Sequence, residues 1–263
     1  MNDDEAVSKP ILAEERRVQI LEQLHAQGYV RTGELQEQFD VSDVTLRSDL
    51  QELERRGRLV RTRGGAVLSM TDVRTAPFDS RLMVNRNAKQ RIAVRAAQLI
   101  RSDSTVIFDA GTTTLALAHH LPPVTGLTVL TPALNTAQQL LLVDGTEVVV
   151  LGGPVDRYGI STVWPVAQPG EDEGGVHTTF MGCHGIDADF DIVDHSMAIA
   201  AAKRRLIRAG RRVVLLADSS KFGVSGPTKV GPLNLIDILI TDADLPSGIA
   251  HEVRAAGVEL VIA

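Results

Sequence analysis

The chain has 263 residues, 44% of them hydrophobic and 23% charged, which excludes a disordered or fibrous protein and points to two domains of ordinary size. It has no apolar run of about 18 residues for a membrane span. It begins Met1-Asn2-Asp3-Asp4-Glu5 without the apolar core of a secretory signal, and Cys183 is its only cysteine, so a cytoplasmic protein without disulfides is expected. A net charge of −6 excludes a protein that coats nucleic acid through bulk positive charge, though not one with a local basic patch.

Residues 14–27 place Val18, Ile20, Leu21 and Leu24 at helical spacing, and Gly28 supplies a stop. Thr32 is the expected N-cap of a short second helix burying Leu35 and Phe39. A tight turn at Asp40-Val41 leads to Ser42, which caps a third helix running to about Arg56. On it Leu46, Leu50 and Leu53 form one apolar stripe, which leaves Val44, Arg47, Ser48, Gln51 and Arg55 on the outer half. A small, polar, cationic helix face of this kind fits a major groove, where Arg pairs with guanine and Gln with adenine. Beyond Gly57, residues 58–62 and 66–68 have strand character around Arg63-Gly64-Gly65. Arg55, Arg56, Arg58, Arg61 and Arg63 cluster without an intervening acid, so residues 41–70 carry +2 within an acidic chain. A charge run alone is ordinarily a solvated face; its setting, three short helices and a basic hairpin, makes a winged helix-turn-helix.

This segment resembles the DeoR-type helix-turn-helix of bacterial regulators through Arg16, Ile20, Leu24, Ser42, Thr45, Leu46, Arg47, Asp49 and Leu50, with Arg61-Thr62-Arg63-Gly64-Gly65-Ala66 as the wing. Ser48 departs from the basic residue or Asn usual there, which bears on base preference. The expected DNA contacts are Ser42, Val44, Thr45, Arg47, Ser48, Gln51, Arg55, Arg61 and Arg63. Among them Thr45 and the wing arginines would hold phosphates, and Arg47, Ser48 and Gln51 would meet base edges. Asp49, nearer the buried stripe, is expected to make an internal salt bridge or cap.

Residues 71–77 lack periodicity and are taken as a linker between a DNA-binding domain, 1–70, and a larger domain, 78–263. The larger domain alternates helices (89–100, 113–121, 133–142, 196–209, 248–256) with apolar strands (105–108, 127–130, 148–151, 213–217, 236–240, 258–262). That pattern predicts an α/β Rossmann-like domain with a mostly parallel sheet, whose strand order is not readable from it. Ligands of such sheets bind at the carboxyl ends of strands. There the chain carries Asp109-Ala110-Gly111-Thr112-Thr113, a turn into a helix whose amides and hydroxyls suit an anion, above all a phosphate. Further strand ends carry Asn135, Gly152-Gly153, Gly182, Gly185 and Asp218-Ser219-Ser220-Lys221. Lys203, mid-helix, is placed to reach inward, although a lysine taken alone is ordinarily solvated.

These elements resemble the sensor domain of DeoR-type regulators, which is similar in fold to sugar-phosphate isomerases. The match runs through Phe78-Asp79-Ser80-Arg81, Lys89, Asp109–Thr113, Gly152-Gly153, Lys203 and Asp218–Gly223. The resemblance implies a phosphorylated sugar or similar anionic metabolite bound by Asp109, Gly111, Thr112, Thr113, Asn135, Gly152, Gly153, Lys203 and Lys221, switching DNA affinity in a homo-oligomeric repressor of a carbohydrate operon. Pro132, Trp164, Asp191 and Ile199 depart from the family pattern around this pocket, which leaves open a sensor for a non-phosphorylated ligand. An isomerase would need a positioned general base. Ile199 removes the usual carboxylate and leaves Asp109 and Asp187 as weaker substitutes, so no enzyme is expected. Nor is a metal or other cofactor: His177, Cys183, His184 and Asp187 are close in sequence, but adjacent Cys183 and His184 would point to opposite faces of a strand. His119 and His120 are expected as ordinary helix-end residues.

Overall fold

The computed structural model describes residues 12–27, 29–56, 58–62, 64–68, 78–157, 159–163 and 175–263. Arg63, Trp164 and the expected linker therefore lie outside the described residues. The chain divides into two compact units, Met1–Val84 and Asn85–Ala263.

The N-terminal unit contains α1 (Ala13–Gln27), β1 (Tyr29–Arg31), α2 (Thr32–Phe39), α3 (Asp43–Arg55), β2 (Leu59–Thr62), β3 (Gly65–Leu68) and α4 (Phe78–Met83). Its core joins Ile20 and Leu24 of α1, Leu35 and Phe39 of α2, and Leu46, Leu50 and Leu53 of α3, all buried. Each such leucine contributes on the order of 1.5–3 kcal/mol by leaving water. Ser42 caps α3 as expected, its Oγ accepting the Thr45 amide at 3.2 Å. Thr32 is not the cap of α2 but its first residue; Arg31 precedes it in extended conformation, with no side-chain cap. The wing has three strands rather than two, in antiparallel order β1-β3-β2. Gly65 is required at this junction, because a Cβ there would lie 2.0 Å from the Val30 carbonyl oxygen. Helix α4 groups with this unit, so the division falls after Val84, later than residue 78.

The C-terminal unit contains α5 (Arg86–Ala97), β4 (Thr105–Phe108), α6 (Thr112–His119), β5 (Leu127–Thr131), α7 (Leu134–Leu140), β6 (Thr146–Val150), β7 (Val155–Asp156) and β8 (Ser161–Thr162). It continues with β9 (Thr178–Met181), β10 (Gly185–Ile186), β11 (Asp191–Asp194), α8 (Met197–Ala209), β12 (Val213–Leu216), β13 (Thr228–Pro232), β14 (Ile238–Thr241), α9 (Ser247–Ala255) and β15 (Glu259–Ile262). Seven strands form one sheet in the order β15-β14-β12-β9-β4-β5-β6, and every pairing in it is parallel. Alternate residues face opposite cores: Val214 and Leu216 join one cluster, Val213 and Leu215 the other. Phe108 and Phe180 meet edge to face across the central pair, with ring centroids 5.6 Å apart.

From β4 the chain proceeds to β5 and β6 on one side, whereas β9, β12, β14 and β15 lie on the other. The order reverses between β4 and β9, which opens a crevice at their carboxyl ends. A smaller antiparallel sheet, β10-β11-β13, and the pair β7-β8 complete the described strands. No helix among the described residues is long and apolar enough to cross a membrane.

Candidate functional site

The outer face of α3 is presented as its periodicity requires. Ser42, Val44, Arg47, Ser48 and Gln51 are exposed, Arg55 and Arg61 likewise, and Thr45 is half-buried with its hydroxyl 2.9 Å from that of Ser42. Val44 is 78% exposed, an unusual placing for an apolar side chain on a helix flanked by charges. Arg47 pairs with Asp43 at 2.9 Å, and Arg55 donates to Glu52 at 2.8 and 2.6 Å. Both arginines are thus held by acids on their own helix, in exposed pairs that an external phosphate or base can displace at little cost. Arg55 and then Arg56, hydrogen-bonded to Glu52, hold its carboxyl down to about 2.

The inner side of α3 is clamped. Asp49 is buried, and its two oxygens accept from Arg16 Nε at 2.6 Å and Arg17 Nε at 2.8 Å. This is the internal salt bridge expected of Asp49. Arg56, one of the clustered arginines, bridges Glu14 at 2.6 Å and Glu52 at 2.7 Å, tying the end of α3 to α1.

In the C-terminal unit the central crevice holds a buried charge cluster. Lys203 Nζ lies 2.8 Å from Asp109 Oδ2, 2.6 Å from the Gly182 carbonyl oxygen and 3.3 Å from Asp194 Oδ2. Lys203 is therefore no solvated lysine: α8 delivers it to the carboxyl ends of β4 and β9, where it makes two hydrogen bonds and an ion pair with Asp194. Burial by itself would lower its pKa, but Asp109 and Asp194 reverse that and hold it above the ordinary lysine value. Burial raises the Asp109 carboxyl against the pull of Lys203. Asp194 is held low although burial opposes it, by Lys203 and by His195, whose Nδ1 is 2.7 Å from Asp194 Oδ1.

The other expected effector residues lie along the same edge of the sheet. Gly111 precedes α6, where no side chain caps the first turn. Its backbone is extended (φ 167°), so any residue could adopt it; the constraint is Thr114 Oγ1, 3.3 Å from where a Cβ would stand. Thr112 is half-buried and Thr113 buried. Asn135, in the first turn of α7 beyond β5, accepts the Thr136 amide at 2.8 Å, and its buried Nδ2 has no partner among the described residues. Gly152 and Gly153 follow β6 and are exposed. Lys221 ends a turn of 3-10 helix, Ser219–Lys221, after β12. Cys183 follows β9, and burial pushes its thiol up to about 11.

Cys183 and His184 follow β9 in a loop rather than lying within a strand. His177 precedes β9, at the opposite end of that strand, where its Nδ1 accepts the Thr105 amide. Pro132 is buried, and its carbonyl accepts the Thr162 amide at 2.8 Å, so it supports the β7-β8 pair. Asp191 is bonded to Lys229 in the smaller sheet, and Ile199 lies in the first turn of α8, capped by Ser196. Asp194 is the member of the cluster that sequence reasoning missed, and Gly182, read only as a strand end, was not connected to Lys203. Both depend on β9 and β11, strands too short to show a period; the only signal was the cap residue Ser196, which follows Asp194-His195 and fixes where α8 begins.

Comparison with known proteins agrees with this division of labour. Residues 16–71 match the DeoR-like helix-turn-helix domain and residues 84–243 the DeoR C terminal sensor domain. The glycerol-3-phosphate regulon repressor of Escherichia coli (strain K12) is 34% identical over 232 residues, 86% of this chain and 90% of the relative. The HTH-type transcriptional repressor GlcR of Bacillus subtilis (strain 168) is 33% identical over 254 residues, 95% of this chain and 96% of the relative. Both the helix-turn-helix and the sensor domain of the DeoR transcriptional regulators are thus matched in order along most of the chain, which belongs to that family.

Proposed function

We propose that the protein is a cytoplasmic repressor that binds operator DNA through α3 and the wing, and is released by a sugar phosphate or similar anionic metabolite at the carboxyl ends of β4, β5, β6 and β12. The observation that carries the DNA half is the exposed face Ser42, Val44, Arg47, Ser48, Gln51 and Arg55 on a helix whose other side is fixed by Asp49. Arg47 and Gln51 offer the paired donors and acceptors that read guanine and adenine, and Val44 offers a methyl contact to thymine. Thr45, Arg61 and Arg63 supply phosphate contacts.

The effector half is supported by the start of α6 at Gly111, which has no side chain to cap it, by Asn135 Nδ2, unpartnered among the described residues, and by Lys221, which together favour a ligand with one anionic group and several hydroxyls. Lys203 serves this site as the buried cation that orders β4 and β9, held by Asp109, the Gly182 carbonyl and Asp194. The sensor is not an enzyme in this reading. Asp109, the nearest base for proton abstraction, is committed to Lys203, and Ile199 has no proton to exchange. Two chains act together, because one winged domain buries too little DNA for high specificity.

The test is to titrate a panel of sugar and polyol phosphates, beside their unphosphorylated parents, into the complex of full-length protein with DNA from upstream of its gene. Release by a phosphorylated compound and not by its parent is the expected result. Release by the parent alone would overturn the anionic ligand, and tighter binding would make the compound a corepressor.

A further inference from the structure

We propose that Tyr29 and Arg31 of β1 form a seat for the sugar–phosphate backbone of DNA beside the tip of the wing, a contact distinct from those of α3 and of the clustered arginines; this rests on the reading of the wing as a DNA-binding element. A hollow of about 420 Å³ opens there, and its walls include Tyr29, Arg31, Thr62, Gly64 and Gly65.

Strand register accounts for the hollow. Tyr29 and Arg31 alternate with the buried Val30, so both side chains stand on the face of the wing sheet turned away from the core. Arg31 is paired with Gly65, and Gly65 with Thr62. The row nearest the tip therefore has an arginine at one end, a threonine at the other and no side chain between them. The tip is drawn against the end of β1, the Thr32 amide donating to the Gly64 carbonyl at 2.9 Å. Arg61 lies in the next row, with Ala66 and Val30, which are both buried, so the cation of the hollow is Arg31.

Arg31 is disposed to take a phosphate. Its side chain is 67% exposed, and its guanidinium carbon lies 5.9 Å from the centroid of the exposed Tyr29 ring. That cation–π contact restrains a side chain that would otherwise sweep freely through solvent. Arg31 pairs with Glu34 at 3.4 Å, an exposed contact that an external phosphate displaces at little cost. The planar guanidinium matches two phosphate oxygens at once, and the adjoining deoxyribose would pack on the Tyr29 ring. Local stability favours another residue at this position. Arg31 is the N-cap of α2, with φ −102° and ψ 135°, the extended geometry from which Ser, Thr, Asp or Asn caps a helix, and it supplies no cap. The chain forgoes a cap there and gains an exposed cation beside the wing tip.

The experiment compares full-length wild type, Arg31→Ser and Arg31→Lys for binding to DNA from upstream of the gene and to a scrambled duplex, across a salt series. Amide exchange over Thr32–Phe39 is followed in parallel. Serine restores a cap and removes the cation, so exchange in α2 should slow while DNA binding weakens by the same factor on both duplexes. The slope of log K against log salt should fall by about one, the loss of one phosphate contact. Arg31→Lys should keep the wild-type slope. A wild-type slope in Arg31→Ser would overturn the seat, and so would a loss confined to the upstream DNA, which belongs to base reading. A slope that falls equally in Arg31→Lys would assign the loss to the fold of the wing and overturn it too. A wild type that binds neither duplex would refute the reading of the wing itself, and the seat with it.

Discussion

At the scale of single residues, Lys203 makes the sharpest demand on the physics, because its ammonium sits between two buried carboxylates, Asp109 at 2.8 Å and Asp194 at 3.3 Å. Lys203→Met removes that charge and leaves the two acids facing each other, which should cost about 3–5 kcal/mol at neutral pH. The pH dependence should also change sign. In the wild type Asp194 is held below its ordinary pKa, so its contribution is present above about pH 4 and is lost as pH falls through the lowered value. Asp109, raised by burial, works the other way, so the wild-type slope near pH 5 is shallow. Without Lys203 both acids are raised, the folded state binds more protons than the unfolded one, and stability rises as pH falls. Urea midpoints at pH 7 and pH 5 check this; a variant no more stable at the lower pH would contradict it. On the DNA side, Arg47→Ala should relax base preference and cost about 1–3 kcal/mol on the operator. Equal weakening on operator and scrambled DNA would assign Arg47 to phosphate instead.

At the scale of elements, α3 is useful only as far as its rotation is fixed, and Asp49 fixes it through Arg16 and Arg17. Asp49→Ala removes the buried acid that Arg16 and Arg17 share at the α1–α3 contact and should destabilise the N-terminal unit by about 3–5 kcal/mol, seen as a lowered Tm of operator-binding activity. An unchanged Tm would mean the leucine stripe alone sets the helix. In the wing, Gly65→Ala forces β3 away from β1 and should speed amide exchange over Tyr29–Arg31; unaltered exchange would show that the strand pair absorbs the methyl. The element scale is also where legibility in the sequence divides. Helices with a clear stripe and strands with continuous apolar runs were readable to within a few residues, as were the Ser42 cap and the inward reach of Lys203. Strand β9 was not: Thr178-Thr179-Phe180-Met181 has no alternation, and its threonines are buried because tertiary partners accept them, Thr179 Oγ1 donating to the Leu206 carbonyl at 3.0 Å. Without β9 the reversal of strand order, and with it the crevice that gathers Asp109, Gly182 and Lys203, had no location. Strand order comes from register between distant segments, which local periodicity does not carry.

At the scale of the whole molecule, the account requires two copies of α3 to meet DNA in register. Two-fold related half-sites should lie about one helical turn, roughly 34 Å, or a multiple of it apart. Inserting about five base pairs between the half-sites should abolish high-affinity binding, and about ten should restore much of it. Indifference to spacing would imply independent binding by single chains. The central claim, selective operator binding, is tested most directly by fluorescence anisotropy of the full chain on DNA from upstream of its gene, against a scrambled duplex, at two salt concentrations. The account predicts nanomolar binding that exceeds the scrambled duplex by about a thousandfold or more and weakens as salt rises. Equal affinity for both duplexes at either salt would contradict it.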